Sequence, residues 1–180
     1  AARGAPPGSA CAGVRRLRRR LLVLVVGAAA AVLGWGLFGE GSGAPALVGR
    51  PEVVDADTLA IGSARVRLAG LDAPEAAQTC ARGGVAWACG QDATLALRRF
   101  LQAETVRCVP EGRDRFDRIL ARCWAGDADI GAWLVREGLA VAYTRYSWRY
   151  LPEQAEAWWH GRGLWGGSFD SPEDWRRNHR

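Results

Sequence analysis

The residues of this chain that could carry out chemistry fall into three short clusters. They are Asp55-Ala56-Asp57-Thr58, the stretch from Arg67 to Asp72-Ala73-Pro74-Glu75, and Asp114-Arg115-Phe116-Asp117-Arg118. Any one cluster alone would be an ordinary turn or a solvated loop. Together they offer carboxylates that can hold a hard cation and guanidinium groups that pair bidentately with phosphate oxygens. Hydrolysis of a phosphodiester requires such a combination, with a water molecule positioned beside it.

The setting of Arg67 supports its place in such a site. It lies between Val66 and Leu68, and successive side chains of a strand point to opposite faces. The guanidinium is therefore expected to point away from both apolar neighbours, into a pocket or into solvent.

The elements that must position these clusters are strands first, followed by helices interspersed with strands. The predicted strands cover residues 47–54, 58–61, 66–71, 105–109 and 119–124. The predicted helices cover residues 91–102, 130–137 and 152–161. Asp129 is the expected N-cap of the second helix, and Gly138 follows its end. The pattern alone predicts an α+β protein.

A set of motifs in a fixed order adds a resemblance. D-x-D-T, VRLAGLDAPE, DRFDR, LVREGLA with VAY, and a final GLW follow one another between about Gly49 and Trp165. This stretch resembles the thermonuclease (staphylococcal nuclease-like) family. The resemblance implies an OB-type five-stranded β-barrel with three helices, and a Ca²⁺-dependent nuclease that acts on DNA, RNA or both and leaves 3′-phosphorylated products.

The resemblance also implies roles for single residues. The catalytic residues would be Arg67 and Arg118, which clamp the phosphate, and Glu75, which orients or deprotonates the attacking water. The Ca²⁺ ligands would be the carboxylates of Asp57 and Asp72 and the carbonyl of Ala73. The nucleotide would be held by Arg115, Phe116 and Tyr143.

Two positions depart from the family pattern. Ala56 stands where the family has Gly, and it would cost about 1 kcal/mol if that position needs a positive φ. Asp117 stands where the family has the Gly before the last catalytic Arg. Asp tolerates the left-handed region, but its charge beside Arg118 is expected to lower phosphate affinity or to add a metal contact.

The net charge of +5 belongs to the N-terminal end of the chain. All 24 basic residues are Arg, and six of them lie in the first twenty positions, which contain no acidic residue. The rest of the chain contains 18 Arg and 19 acidic residues. The predicted domain is therefore nearly neutral, and the overall charge says nothing about a nucleic-acid partner.

The N-terminal part predicts export or membrane attachment. We expect a basic cytoplasmic tail over 1–20, a transmembrane or signal segment over 21–38, a linker over 39–48, a thermonuclease-like domain over 49–167 and a C-terminal tail over 168–180. The membrane is thus an expected partner through the N-terminal helix, with the domain facing the periplasm or exterior. If the Ala44-Pro45-Ala46 site were cleaved, the domain would be secreted. No obligate protein partner is predicted.

Four cysteines in the exported part point to an oxidising compartment. Cys80, Cys89, Cys108 and Cys123 allow three disulfide connectivities, of which Cys80–Cys89 and Cys108–Cys123 are favoured by local geometry. A zinc site is the alternative, but no C-x2-C pair is present.

Two other functions are weighed against an active nuclease. One is a catalytically inactive OB-type module that binds nucleic acid or a protein partner. The other is a structural tether whose tryptophans form a protein interface; these are Trp133, Trp158, Trp159, Trp165 and Trp175. Most of these tryptophans are expected to pack in the core and between the helices and the barrel.

Overall fold

The computed structural model describes residues 44–179. The predicted basic tail, the apolar segment over 21–38 and the first half of the predicted linker, residues 39–43, lie outside the described residues. Within the described part, no helix has both the length and the hydropathy needed to cross a membrane.

The main sheet of the described chain contains the strands β1 (Leu47–Gly49), β2 (Glu52–Asp55), β3 (Thr58–Ile61), β4 (Ala64–Leu68), β8 (Val106–Arg113), β9 (Ile119–Ala125) and β10 (Ala128–Asp129). Their order across the sheet is β1-β8-β9-β4-β3-β2, with β10 paired to β9. Neighbouring strands are antiparallel except β4 and β9, which are parallel.

The two ends of this order, β1 and β2, are consecutive in the chain and separated only by Arg50 and Pro51. They were predicted as one strand over 47–54. Pro51 has no N–H to donate to the ladder, so it interrupts the predicted strand. The part before it, β1, pairs with β8, and the part after it, β2, pairs with β3. The two ends of the described sheet are thus joined through residues 50 and 51, an arrangement similar to an OB-type barrel.

Helices pack around this barrel. Their bounds are α1 (Cys89–Phe100), α2 (Ile130–Arg136), α3 (Leu151–Trp159) and α4 (Pro172–Asn178), with a 3₁₀ turn at Gly163–Gly166. Asp129 caps α2 by accepting the N–H of Ala132 at 3.1 Å, as predicted. The prediction of three helices is wrong for the described residues, since α4 is a fourth helix and lies in the segment assigned to a tail.

Helix α4 begins at a local signal. The Ser171 hydroxyl accepts the N–H of Asp174 at 3.1 Å and donates to its carboxylate at 2.7 Å, and Pro172 occupies the first turn. Ser-Pro-x-Asp is a sequence-level helix start. The helix was therefore within reach of prediction, although its position on the barrel was not.

Short strand pairs complete the fold. β5 (Leu71–Asp72) pairs with β11 (Val141–Ala142), and β6 (Cys80–Arg82) pairs with β7 (Val85–Trp87). The predicted disulfides Cys80–Cys89 and Cys108–Cys123 are both confirmed, with Cα–Cα distances of 5.7 and 4.0 Å. Cys108 and Cys123 lie directly opposite each other in the β8–β9 ladder.

The core fills the barrel and the space beneath the helices. Alternation works as predicted in β4, where Val66 and Leu68 are buried and Arg67 is not. Of the five tryptophans predicted mostly to pack, Trp133, Trp165 and Trp175 are partly buried. Trp133 packs against the core and stacks on Phe100, whereas the side chains of Trp158 and Trp159 are exposed.

Candidate active site

A wide cleft of about 1200 Å³ opens where the ends of β2, β4 and β5 meet the β8–β9 loop and α4. Of the nine residues predicted for the site, eight line this cleft: Asp57, Arg67, Ala73, Glu75, Arg115, Phe116, Arg118 and Tyr143. The ninth, Asp72, is buried beneath it and bonded to Arg67. The structure thus gathers the three clusters in one place.

Arg67 joins the two predicted metal ligands. Its Nη1 lies 2.7 Å from each carboxylate oxygen of Asp57, and its Nη2 lies 2.8 Å from Oδ1 of Asp72. One guanidinium between two carboxylates means that both acids face the same small space. Both are nearly inaccessible, with Asp57 5% and Asp72 1% exposed.

The strand register sets this arrangement. Thr58 on β3 is directly opposite Arg67 on β4, and the N–H of Leu68 donates to the Asp57 carbonyl at 2.8 Å. Asp55 accepts the N–H of Asp57 at 3.1 Å and so acts as a turn residue. The Asp57 side chain is thereby held over the end of β4.

The charge of Asp57 is only partly compensated. Burial raises the pKa of Asp57 to about 7, because lost hydration outweighs the ion pair with Arg67 and because Asp55 adds a second negative charge nearby. A further cation beside this carboxylate would favour its ionised form.

Glu75 is held by its backbone and has a more accessible side chain. The Gln78 side chain accepts the N–H of Glu75 at 3.3 Å, and the N–H of Gln78 donates to the Glu75 carbonyl at 2.8 Å. Gly90, at the start of α1, packs so closely on that carbonyl that a Cβ there would overlap it. The Glu75 side chain is 39% exposed, so solvent can reach its carboxylate.

Arg118 is held by Asp114, a residue to which the sequence assigned no role. Asp114 Oδ2 accepts from Nε and Nη2 of Arg118, each at 2.7 Å, while Oδ1 accepts the backbone N–H groups of Phe116 and Arg118 at 2.9 and 3.0 Å. Burial alone would raise the pKa of Asp114, but these hydrogen bonds outweigh it and hold the pKa below its usual value. Asp114 therefore fixes both the loop and the guanidinium. The spacing Asp-x-x-x-Arg within DRFDR was the available signal.

The predicted nucleotide contacts lie at the rim of the cleft. The ring of Phe116 is exposed and lies 4.7 Å from the guanidinium carbon of Arg115. Tyr143 follows β11, and its N–H donates to the Gly70 carbonyl at 3.0 Å, which brings it beside Asp72. Tyr146 meets Tyr143 edge to face at 4.9 Å. An exposed aromatic ring at such a rim can stack on a base.

The two departures from the family pattern behave differently. Among the described residues, positive φ outside glycine occurs at Ala103 and Asp117, so Ala56 carries no left-handed strain. Asp117 has φ 61°, which is the conformation that the family's glycine allows. Its carboxylate pairs with Arg113 at 3.0 Å and is 85% exposed.

The C-terminal helix brings an arginine into the site that the sequence did not reveal. Arg176 on α4 donates from Nη1 to Asp72 Oδ1 at 3.1 Å and from Nη2 to Asp72 Oδ2 at 2.8 Å. Its Nη1 also donates to Glu75 Oε1 at 2.9 Å. A contact between residues 104 positions apart leaves no local trace in the sequence.

The donor set suits a hard cation. Asp57 and Asp72 both contact Arg67 and offer oxygen ligands of the kind that Ca²⁺ prefers. Across residues 44–179, no three His, Cys, Asp or Glu side chains converge as a ready-made metal cluster. A cation here would therefore combine the two carboxylates with a backbone carbonyl and water. The assignment of the Ala73 carbonyl stays a prediction.

Comparison with known proteins agrees with this geometry. Residues 65–167 match the family described as Staphylococcal nuclease homologue. Succinoglycan biosynthesis protein ExoI from Rhizobium meliloti is 35% identical over 130 residues, which cover 70% of this chain and 68% of that protein. An uncharacterized endonuclease from Haemophilus influenzae is 34% identical over 137 residues, 72% of each chain. A probable endonuclease LCL3 from Debaryomyces hansenii is 33% identical over 129 residues, 63% of this chain and 53% of that protein.

Proposed function

The chain belongs to the staphylococcal nuclease family, and we propose that it is a Ca²⁺-dependent nuclease that hydrolyses phosphodiester bonds of DNA or RNA outside the cytoplasm. The observation that carries the proposal is the convergence of Asp57 and Asp72 on Arg67, in the same cleft as Glu75 and Arg118. The names of several relatives, which refer to endonucleases, support it.

Asp57 and Asp72 would hold the cation. When bound, Ca²⁺ would supply Lewis acidity that neutralises charge on the phosphate. The two aspartates are already buried and held at Arg67, so little rearrangement of their strands is needed.

Glu75 would accept a proton from the attacking water. The oxygen of that water forms a bond to phosphorus as the bond from phosphorus to the 5′ oxygen breaks, and the leaving oxygen takes a proton from solvent. The products are a 3′-phosphate and a 5′-hydroxyl. The exposed carboxylate of Glu75 can reach a solvent-derived nucleophile, unlike the buried carboxylates of Asp57 and Asp72.

Arg67 and Arg118 would stabilise the charge that develops on the phosphate. A guanidinium has five N–H donors, so the bonds of Arg67 to the two aspartates leave donors for a phosphate oxygen. Arg118 reaches the same cleft from the β8–β9 loop, and its Nη1 lies 3.4 Å from the Thr58 hydroxyl. The two arginines therefore approach one region from different elements.

The export of the domain is a separate part of the proposal. The paired cysteines fit an oxidising compartment, and the apolar run over 21–38 would provide the anchor or signal. Mass analysis of the native N-terminus distinguishes the two: an intact N-terminus indicates an anchor, and a start after the Ala44-Pro45-Ala46 site indicates a cleaved signal.

The activity is tested with single-stranded DNA and RNA, with Ca²⁺ or with a chelator. We expect cleavage only with Ca²⁺, and we expect Glu75→Gln to lower kcat by about 10²- to 10⁴-fold. Glu111→Gln is the matched control, because Glu111 lines the same cleft but pairs with Arg149. A folded protein that binds these substrates without cutting them would refute the nuclease and support a binding module.

A further inference from the structure

Arg176 occupies oxygens that a metal ion would need. Both carboxylate oxygens of Asp72 accept from its guanidinium, and Oδ1 is shared with Arg67. Glu75, the proposed proton acceptor, is bonded to the same guanidinium. A cation bound through Asp72 would come close to the positive charge of Arg176, so the two oppose each other at this carboxylate.

The charge balance of the site shows what Arg176 does there. The carboxyl groups of Asp57 and Asp72 share the guanidinium of Arg67, which supplies a single positive charge between them. A buried carboxylate without a partner is costly, so Asp72 needs a second counter-charge. Arg176 provides it. A divalent cation bound at Asp72 would supply that counter-charge in place of Arg176.

The way α4 is held suits a contact that can be broken. Of the residues in α4, only Pro172 is buried, and Trp175 stacks on His179, at the end of the same helix, with its ring 4.3 Å away. Ion pairs also link α4 to the rest of the fold: Arg176 to the carboxylates, and the mostly exposed Arg145–Glu173 pair at 2.6 Å. Because Pro172 is the single fully buried residue of α4, the helix can move away without opening the core.

The segment before α4 is fixed much more firmly. Ser168 and Ala81 exchange two backbone hydrogen bonds at 2.8 and 2.9 Å. The buried Gln78 side chain donates to the Asp170 carbonyl at 2.8 Å, from the same loop that carries Glu75. This arrangement gives α4 a fixed base next to the site and a weakly held end over it.

We propose that α4 is an autoinhibitory latch, in which Arg176 serves as the counter-cation of Asp72 and Glu75 and must leave these carboxylates before a divalent cation can bind. The proposal rests on the proposed cation-dependent function. It predicts that the cation and the docked α4 exclude each other, and that the loss of Arg176 strengthens binding of the cation.

The first test is calorimetric titration of Ca²⁺ alone into the 180-residue chain and two variants. If α4 is undocked about one time in ten or less, Arg176→Ala should bind Ca²⁺ about tenfold or more tightly than the natural chain. Arg177→Ala is the matched control: it removes the same charge from the next position, and within residues 44–179 Arg177 pairs with Asp174 of its own helix. Its Ca²⁺ affinity should stay within about twofold of the natural chain.

The second test reads α4 directly in the natural chain. Hydrogen exchange of the amides of residues 172–178 should become faster when Ca²⁺ is added, while exchange near Asp57 and Asp72 becomes slower. In Arg176→Ala these α4 amides should exchange fast without Ca²⁺. If Ca²⁺ leaves the exchange protection of the α4 amides in the natural chain unchanged or increases it, the latch is overturned. This result does not depend on whether the variant folds.

The results separate the latch from the nuclease. Equal or weaker Ca²⁺ binding by Arg176→Ala, with Ca²⁺-dependent cleavage intact, overturns the latch alone. Tighter binding by this variant without cleavage of DNA or RNA supports the latch and refutes the nuclease. A lack of Ca²⁺ binding in every variant, including Arg176→Ala, overturns both.

Discussion

The pairing of Asp114 with Arg118 offers a way to measure how much the position of one arginine contributes to catalysis. Asp114→Asn is the informative change. The amide oxygen can still accept the backbone N–H groups of Phe116 and Arg118, so the loop keeps its turn. The amide nitrogen that replaces Oδ2 is a donor, and it cannot accept the two Arg118 bonds of 2.7 Å.

The expected magnitudes follow from these contacts. The pair is largely shielded, with side chains 15% and 23% exposed, so the loss should lower the free energy of unfolding by about 1 kcal/mol. The effect on catalysis should be larger. A displacement of a catalytic group by about 1 Å can cost about 100-fold, so kcat should fall by about 10- to 100-fold.

A double-mutant cycle with Arg118→Ala checks the reasoning. If Asp114 acts only through the guanidinium, Asp114→Asn should have no further effect on kcat once Arg118 is removed. Asp114→Ala should lower the free energy of unfolding by about 1 kcal/mol more than Asp114→Asn does, because the loop N–H groups also lose their acceptor. The kcat of Asp114→Ala should be no lower than that of Asp114→Asn. A kcat for Asp114→Asn equal to that of the natural chain would refute the positioning role.

The same residue predicts how stability depends on pH. The pKa of Asp114 is below its usual value of 3.8 in the folded protein, so the ionised carboxylate contributes its full stability above about pH 4. This contribution is lost as the pH falls through the lower folded pKa. Thermal unfolding followed from pH 5 downward should therefore show a smaller loss for Asp114→Asn than for the natural chain. An identical loss would contradict the assignment.

Three further changes test the framework around the site. Gly90→Ala should push on the Glu75 carbonyl, lowering the free energy of unfolding by about 2 kcal/mol in chemical denaturation and reducing kcat by at least about tenfold. Asp129→Ala removes a helix cap and the acceptor of a buried tyrosine hydroxyl, and it should cost about 3 kcal/mol by the same measurement, with kcat little changed. Replacing Cys108 and Cys123 by Ala opens a loop of 15 residues and should cost about 3 kcal/mol, and reductant should then destabilise the variant less than the natural chain.

The parts of the fold that depend on local patterns were predictable. Alternation placed Val66 and Leu68 inside and Arg67 outside, and the N-cap at Asp129 fixed the start of α2. The position of Pro51 explains the main error in strand bounds, because a predicted single strand is divided where proline cannot donate to the ladder.

The site was predictable where its residues belong to ordered motifs, and not where it depends on distant contacts. The motifs named the residues that line the cleft, but not the hydrogen bonds by which Asp114 holds Arg118. A five-residue loop with two acids and two bases allows several pairings, and only the backbone turn selects one of them. The left-handed φ of Asp117 is part of that turn.

The contact of Arg176 with Asp72 shows why a charge count along the chain is a poor guide to a site. The residues after the first twenty are nearly neutral in sum, yet Arg67 and Arg176 both pair with the buried carboxylate of Asp72. A buried carboxylate needs a counter-charge, which can come from a nearby strand or from a residue far away in the sequence. If a cation takes over that task, Arg176 is released with its charge intact, beside the place where a phosphate would lie. A phosphodiester that binds together with the cation would therefore weaken the competition between the cation and α4. An uncleavable nucleotide should thus raise the Ca²⁺ affinity of the natural chain by a larger factor than it raises the Ca²⁺ affinity of Arg176→Ala.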